Sequence, residues 1–237
     1  MAKHPSIVIL TGAGISAESG LATFRADDGL WAGHRIEDVC TPDALRRNSE
    51  RVFSFYDGRR AELARVAPNA AHDALARLDR EWSGDLLIVT QNVDDLHERA
   101  GARRMLHMHG ALLSALCRAC GERQPFGGTM AGGQGGACAA CGADALRPDI
   151  VFFGEMPYEM ARIEQALATA DLFVSIGTSG AVYPAAGFVQ LAAAYGAQTL
   201  ELNLERSEGS GFFDESRLGP ATMLVPAWVD ELLAAPR

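Results

Sequence analysis

Apolar residues along this chain follow two rhythms. Short, nearly unbroken apolar runs at 7–10, 86–90, 172–176, 199–202 and 223–225 have the length and β-branched content of buried strands. Between several of them the spacing stretches to a helical period. Over 157–170, Met160, Ile163, Leu167 and Ala170 share one stripe, with Pro157 suited to a first turn. Over 185–195, Phe188, Leu191, Ala192 and Tyr195 do the same. Strands alternating with helices predict an α/β fold, a mostly parallel sheet with helices on both faces.

Two segments break the alternation. Residues 26–83 read as two or three helices without a convincing strand. Residues 111–145 form a short cysteine-bearing module whose glycine-rich centre, 127–136, reads as a flexible tip. The expected organisation is a large domain from 1–25, 84–110 and 146–237, interrupted by the helical insertion and by the module. Four of the five cysteines fall in the pattern Cys117-x2-Cys120-x17-Cys138-x2-Cys141. Two such knuckles aim four thiolates at one tetrahedral zinc with no open position, so the metal is expected to be structural. The competing reading, two disulfides, fits an oxidising compartment. Cys40 stands apart and is expected to be a packing residue.

Composition narrows the chemistry. The chain has 237 residues, 48% hydrophobic and 22% charged, as in an ordinary globular protein able to bury a full core. No apolar run approaches the roughly 20 residues of a membrane helix. The first ten residues are too short for a secretory signal, so a cytoplasmic location is expected. A net charge of −9 argues against a broad nucleic-acid footprint. Lys3 is the single lysine, which removes a Walker-type phosphate loop and a Schiff-base enzyme from consideration.

Gly12-x-Gly14-x-x-Ala17 follows the first apolar run and has the spacing of a Rossmann-type dinucleotide loop. There Gly12 would permit the turn, Gly14 would let backbone approach pyrophosphate, and the helix N-terminus would attract the anion. A dehydrogenase also needs an acid at the end of a second strand about 20 residues on. That window holds His34, Arg35, Ile36, Glu37 and Asp38, without strand character. The loop is present and the hydride-transfer layout is not.

At this point the sequence resembles the sirtuin family of NAD-dependent protein lysine deacylases. The matching pieces are 12–16 (GAGIS), 20–25 (GLATFR), 90–94 (TQNVD), 109–110 (HG), the four cysteines, 151–155 (VFFGE), 177–180 (GTSG), 203–205 (NLE) and 219–221 (GPA), in family order along nearly the whole chain. The resemblance implies a Rossmann-type large domain and a small domain built from the insertion and the zinc module. NAD and an acyl-lysine peptide would meet in the cleft between them. The cofactor would be consumed: nicotinamide leaves and the acyl group passes to ADP-ribose.

The same resemblance assigns residues. His109 becomes the general base, aided by Asn92 and Asp94, with His107 left structural. Gly12, Ala13, Gly14, Ser16, Ala22, Phe24, Arg25, Trp31, Gln91, Asn92 and Asp94 are expected on the cofactor, together with Gly177, Thr178, Ser179, Asn203, Glu205 and Ala221. Val151, Phe152, Phe153, Gly154 and Glu155 are expected to take the substrate backbone as an added strand. An imidazole with a pKa near 6.5 suits a base at neutral pH.

Tyr56 and Arg59, three apart on an expected helix, can face one pocket. They match the Tyr-x-x-Arg of sirtuins that remove succinyl, malonyl or glutaryl groups, in which a guanidinium holds the acyl carboxylate. In that class the second residue after the Phe-Arg pair is small, whereas Asp27 stands here. A second carboxylate ~4 Å from the substrate's would cost up to about 4 kcal/mol at an effective dielectric near 20. Three further readings stay open: an NAD-dependent protein ADP-ribosyltransferase, a zinc-containing dehydrogenase and a zinc-ribbon binding module.

Overall fold

The structure, a computed structural model, describes residues 5–25, 30–31, 33–133 and 135–234, with only the backbone for Phe24, Arg25 and Leu30. The first strand, β1 (Ile7–Thr11), leads into the one-turn helix α1 (Gly14–Ala17). A small antiparallel ribbon follows, β2 (Phe24–Arg25), β3 (Leu30–Trp31) and β4 (His34–Arg35). Next come α2 (Ile36–Val39), α3 (Pro42–Arg47), α4 (Ser49–Leu63) and α5 (Ala70–Glu81). The chain continues through β5 (Leu86–Thr90), α6 (Leu96–Ala100), β6 (Met105–His107), β7 (Gly110–Cys117), β8 (Arg123–Pro125) and β9 (Leu146–Ile150). It ends with α7 (Met160–Leu167), β10 (Leu172–Ile176), α8 (Phe188–Ala194), β11 (Gln198–Asn203), β12 (Glu215–Leu218) and α9 (Ala221–Ala234).

Among the described residues, one sheet runs β12-β11-β10-β1-β5-β6, and every neighbouring pair is parallel. This is the doubly wound order, and its direction reverses between β1 and β10. Side chains alternate across the strands. Ile7, Ile9, Ile88 and Val174 pack with Leu75 and Leu78 of α5 and with Val225 and Trp228 of α9. Val8, Leu10, Val89 and Phe173 pack with Ile163 and Leu167 of α7 and with Phe188 and Val189 of α8. Both faces are covered, which is why these strands read as continuous apolar runs.

Several local expectations change. The run 223–225 lies inside α9, with Val225 buried and Met223 exposed, so three apolar residues marked one side of a helix. The last strand is instead β12, whose residues Glu215, Ser216, Arg217 and Leu218 are mostly polar because it lies at the sheet's edge. Helix α7 begins at Met160, not Pro157, after Glu159 turns the chain at φ 58°. Tyr195 follows α8 and is exposed. Helix α1 is a single turn, too short for the long helix of a dinucleotide loop.

Within 26–83 the helices divide. Helix α5, capped by Asn69 and His72, joins the sheet. Helices α2–α4 form their own core, where Val39, Leu45, Val52, Phe55 and Tyr56 meet Leu96, Leu112, Ile150 and Phe152. Thr41 caps α3, whose first residue is Pro42, and Asn48 caps α4.

The cysteine module is a three-stranded antiparallel sheet, β8-β7-β9. Its apolar core is Ala115, Cys117, Met130, Cys138 and Leu146, too little to fold on burial alone. Within the tip, residues 128–132 are held by α4. The Asp57 carboxylate of α4 accepts from the Met130 and Ala131 amides at 2.9 Å each, and Glu50 accepts from Gly132 at 2.8 Å. Arg60, paired with Asp57, donates to Gly128 O at 3.1 Å and to Leu112 O at 3.3 Å.

Candidate active site

The sheet reversal opens a cleft of about 770 Å³ beyond the carboxyl ends of β1 and β10. That volume lies in the range of cofactor-sized sites. Gly12, Ala13, Gly14 and Ser16 line it from the β1 side; Gly177, Thr178 and Ser179 line it from the β10 side. Gly14 N–H donates to Gly177 O at 2.9 Å. A Cβ on Gly14 would lie 2.7 Å from Gly177 Cα, so the space left by the missing side chain is filled by the protein's own backbone. Pyrophosphate is therefore not what occupies it.

The floor is the loop after β5. Gln91 N donates to Thr11 O at 2.9 Å. Asn92 Nδ2 donates to Gly12 O at 3.1 Å and to Ser16 Oγ at 3.2 Å. The Ser16 hydroxyl donates to Asp94 Oδ2 at 3.0 Å, and Asp94 Oδ1 accepts from Leu96 N at 3.1 Å. Burial holds the Asp94 carboxyl above its ordinary range, against the pull of those two donors. Gln91, Asn92 and Asp94 all line the cleft.

His109 faces this floor from the start of β7. Its Nδ1 lies 3.2 Å from Gln91 O, so the ring donates there and leaves Nε2 with its lone pair. Burial, partly opposed by that bond, lowers the pKa from 6.5 and keeps the ring neutral at physiological pH. The next residue, Gly110, has φ +84°, and a Cβ there would fall 2.0 Å from Asp149 O. Glycine is what lets the chain turn directly after the imidazole.

At the far end, Asn203 is committed to the protein: Nδ2 donates to Thr178 O at 2.8 Å and Oδ1 accepts from Leu204 N at 3.0 Å. It braces the 177–179 turn. Glu205 lines the cleft, whereas Ala221, the first residue of α9, does not. Ala22 and Trp31 line the opposite wall. The side chains of Phe24 and Arg25, and all of Asp27, lie outside the described residues.

Residues 151–155 line the cleft, but as a turn after β9 rather than as a strand. The Glu155 carboxylate accepts from both Arg147 Nη2, at 2.9 Å, and Phe152 N, at 2.9 Å. Its side chain therefore shapes the turn and is not free for substrate, while Phe153 is exposed at the rim.

Tyr56 and Arg59 sit at different depths. Arg59 lines the cleft; Tyr56 does not, and lies fully buried against Phe152 and Trp31, with ring centroids 6.1 and 6.0 Å away. Arg59 Nη1 pairs with Glu62 at 2.5 Å, and its guanidinium stands 5.6 Å from the Trp31 ring. Two buried polar atoms here have no nitrogen or oxygen partner: Arg59 Nε and Tyr56 OH. The Tyr56 hydroxyl lies against the Cys40 thiol, which burial pushes up to about 11. Cys40 packs in the core of α2–α4, as expected, and also borders the cleft.

The pattern of the sequence did not reveal the pair of imidazoles beneath the floor. His97 Nε2 lies 3.0 Å from Thr11 Oγ1, His72 Nε2 lies 3.4 Å from Ser16 Oγ, and the rings are 5.0 Å apart. Burial lowers His72 to about 4 and His97 to about 3. The one signal for His72 was its place three residues after the cap Asn69.

In the module the four cysteine sulfurs lie within 4.8 Å of one another, the Cys117–Cys141 and Cys120–Cys138 pairs at 3.7 Å. Disulfides need about 2.05 Å. A tetrahedron with Zn–S bonds of about 2.3 Å has edges near 3.8 Å, so the thiol set fits zinc.

The Sir2 family signature matches residues 12–184. An NAD-dependent protein deacylase of Pasteurella multocida is 52% identical over 98% of this chain and all of its own length. One from Caulobacter vibrioides is 53% identical over 96% of this chain and 97% of its own. A solved Sir2 homologue–NAD complex is 36% identical, with a TM-score of 0.86 over 96% of this chain and 89% of that one. With the doubly wound sheet, the cysteine module and the cleft all in place, the chain belongs to the Sir2 family.

Proposed function

We propose that this chain is an NAD-dependent protein lysine deacylase which prefers acyl groups ending in a carboxylate. The observation that carries the chemistry is His109: a neutral imidazole, oriented by Gln91 O, with Nε2 free in the cleft. NAD supplies a ribose carbon that becomes electrophilic as nicotinamide departs, together with the hydroxyls that receive the acyl group. His109 Nε2 takes a proton from a ribose hydroxyl. The Asp94 carboxylate, held by the Ser16 hydroxyl, offers a buried acceptor for the nicotinamide amide, and the side-chain oxygen of Asn92 serves to orient ribose or water. The turn at 151–155 presents backbone to the peptide.

The acyl preference rests on Arg59. A buried guanidinium with its Nε unpartnered lacks an acceptor that a terminal carboxylate would supply. The Glu62 carboxylate already shares this arginine, so the substrate competes with it for the charge. Four thiols gathered for a metal suit a reducing compartment such as the cytoplasm.

The test is mass spectrometry on matched acetyl-, malonyl- and succinyl-lysine peptides, each with and without NAD. Removal of succinyl or malonyl at a higher kcat/KM than acetyl, only with NAD, is the expected result. If acetyl is removed faster, the preference is wrong and the deacylase reading stands. If ADP-ribosylated protein forms and no acyl group is removed, the deacylase reading fails.

A further inference from the structure

We infer that His107 is a positioning residue of the reaction: held as an imidazolium between Glu98 and the backbone carbonyl of Asn92, it fixes the loop that carries Asn92 and Asp94. This rests on the deacylase reading above.

His107 ends β6, in register with Thr90 at the end of β5. Its Nδ1 lies 2.8 Å from Asn92 O, and its Nε2 lies 2.6 Å from Glu98 Oε1. A carbonyl oxygen and an ionised carboxylate only accept. An imidazole that satisfies both must donate from both nitrogens, which only the protonated ring does. His109, two residues on, makes the same Nδ1 contact to the preceding carbonyl, Gln91 O, and keeps Nε2 free. Two histidines on consecutive alternate positions thus hold two consecutive carbonyls, one as a charged clamp and one as a neutral base.

The third carbonyl of the loop, Val93 O, accepts from Leu112 N at 2.8 Å. Three successive peptide planes are fixed, and the Asn92 and Asp94 side chains are aimed by them. If His107 loses its proton, one of its two bonds must go, and the Asn92 plane is freed. The charged and titratable groups around His107 are Glu98 and His97 from α6 and Asp94 from the loop. Burial works against the proton, but Glu98, the Asn92 carbonyl and Asp94 outweigh it and raise the pKa above 6.5. For His109 burial wins and the pKa falls. The active form, with His109 neutral and His107 charged, exists between the two values. It disappears on the acid side as His109 gains a proton and on the alkaline side as His107 loses one.

The experiment is the pH profile of kcat for wild type, Glu98→Gln, His107→Asn and His107→Leu, with the imidazole 15N shifts of the full-length protein recorded across the same range. Glu98→Gln should move the alkaline limb down by about one pH unit or more. His107→Asn keeps a donor toward Asn92 O and cannot titrate, so the limb attributed to His107 should vanish. His107→Leu should lower kcat about tenfold or more with peptide KM nearly unchanged. The 15N shifts should show both His107 nitrogens protonated at neutral pH. Should His107 be singly protonated there, or should the alkaline limb stay in place in Glu98→Gln and His107→Asn, the inference is overturned. Absence of any NAD-dependent deacylation in wild type would strike the deacylase reading instead, and the 15N shifts would still report on the clamp.

Discussion

The two ends of the cleft are built on opposite terms. At the cofactor floor every carbonyl of 91–93 has a donor, and Asn92, Asp94 and Ser16 are bonded to one another. At the wall lined by Arg59, the Nε of that arginine is buried with no hydrogen-bond partner. A buried polar group left unpaired costs on the order of 1–3 kcal/mol. On the proposed function, the fold bears that cost where the ligand's own end changes with substrate and avoids it where the chemistry is fixed.

The largest effect should come from the floor. His109→Ala should lower kcat by roughly 10²–10⁴-fold for every acyl group alike, since the base serves a step common to all. A selective loss would break the contrast between the two ends. Arg59→Met should lower kcat/KM for succinyl-lysine by about 10- to 100-fold and leave acetyl-lysine within a few-fold. Equal loss on both peptides would mean that Arg59 is structural.

Two smaller effects sharpen the picture. The buried imidazoles His72 and His97 have folded values of about 4 and 3 against 6.5 when free. Below about pH 6.5 the unfolded chain takes up protons that the fold refuses, so their contribution to stability is complete at neutral pH and is lost as pH falls. Melting temperatures should decline from pH 7 to pH 5, and His97→Gln, which has no proton to gain, should decline less steeply. Tyr56→Phe, which removes the hydroxyl lying against the Cys40 thiol, should change thermal stability by about 1–2 kcal/mol at most and leave turnover of every acyl group within a few-fold, because the ring lies behind the cleft wall. A selective loss of succinyl turnover would show that the hydroxyl reaches the acyl group.

Much of the framework was visible as pattern. Strands β1, β5, β10 and β11 announce themselves because a sheet covered on both faces is apolar at most positions, although β11 also buries Thr199 and Glu201. The four cysteines do so because ligand spacing is a local property. What escaped was decided by tertiary position. Strand β12 is polar because it is an edge, and 223–225 shows three apolar residues that suit a helix as well as a strand. His72 and His97 meet only because α5 and α6 pack side by side. Tyr56 and Arg59 share a helix face, as their spacing says, yet spacing cannot give the depth that puts one on the wall and the other behind it. Glu155 shows the same limit, since its partner Arg147 lies at the far side of a turn.

Helix α4 carries Arg59 toward the cleft and, on the adjoining turn positions Asp57 and Arg60, grips the tip of the cysteine module. One helix thus ties the cysteine module to the wall of the cleft that Arg59 lines. On the proposed acyl preference, stripping zinc from the four thiols is expected to disturb Arg59 through α4 before it disturbs His109. Zinc content and the ratio of succinyl to acetyl turnover, measured on the same graded series of chelated samples, should decline together.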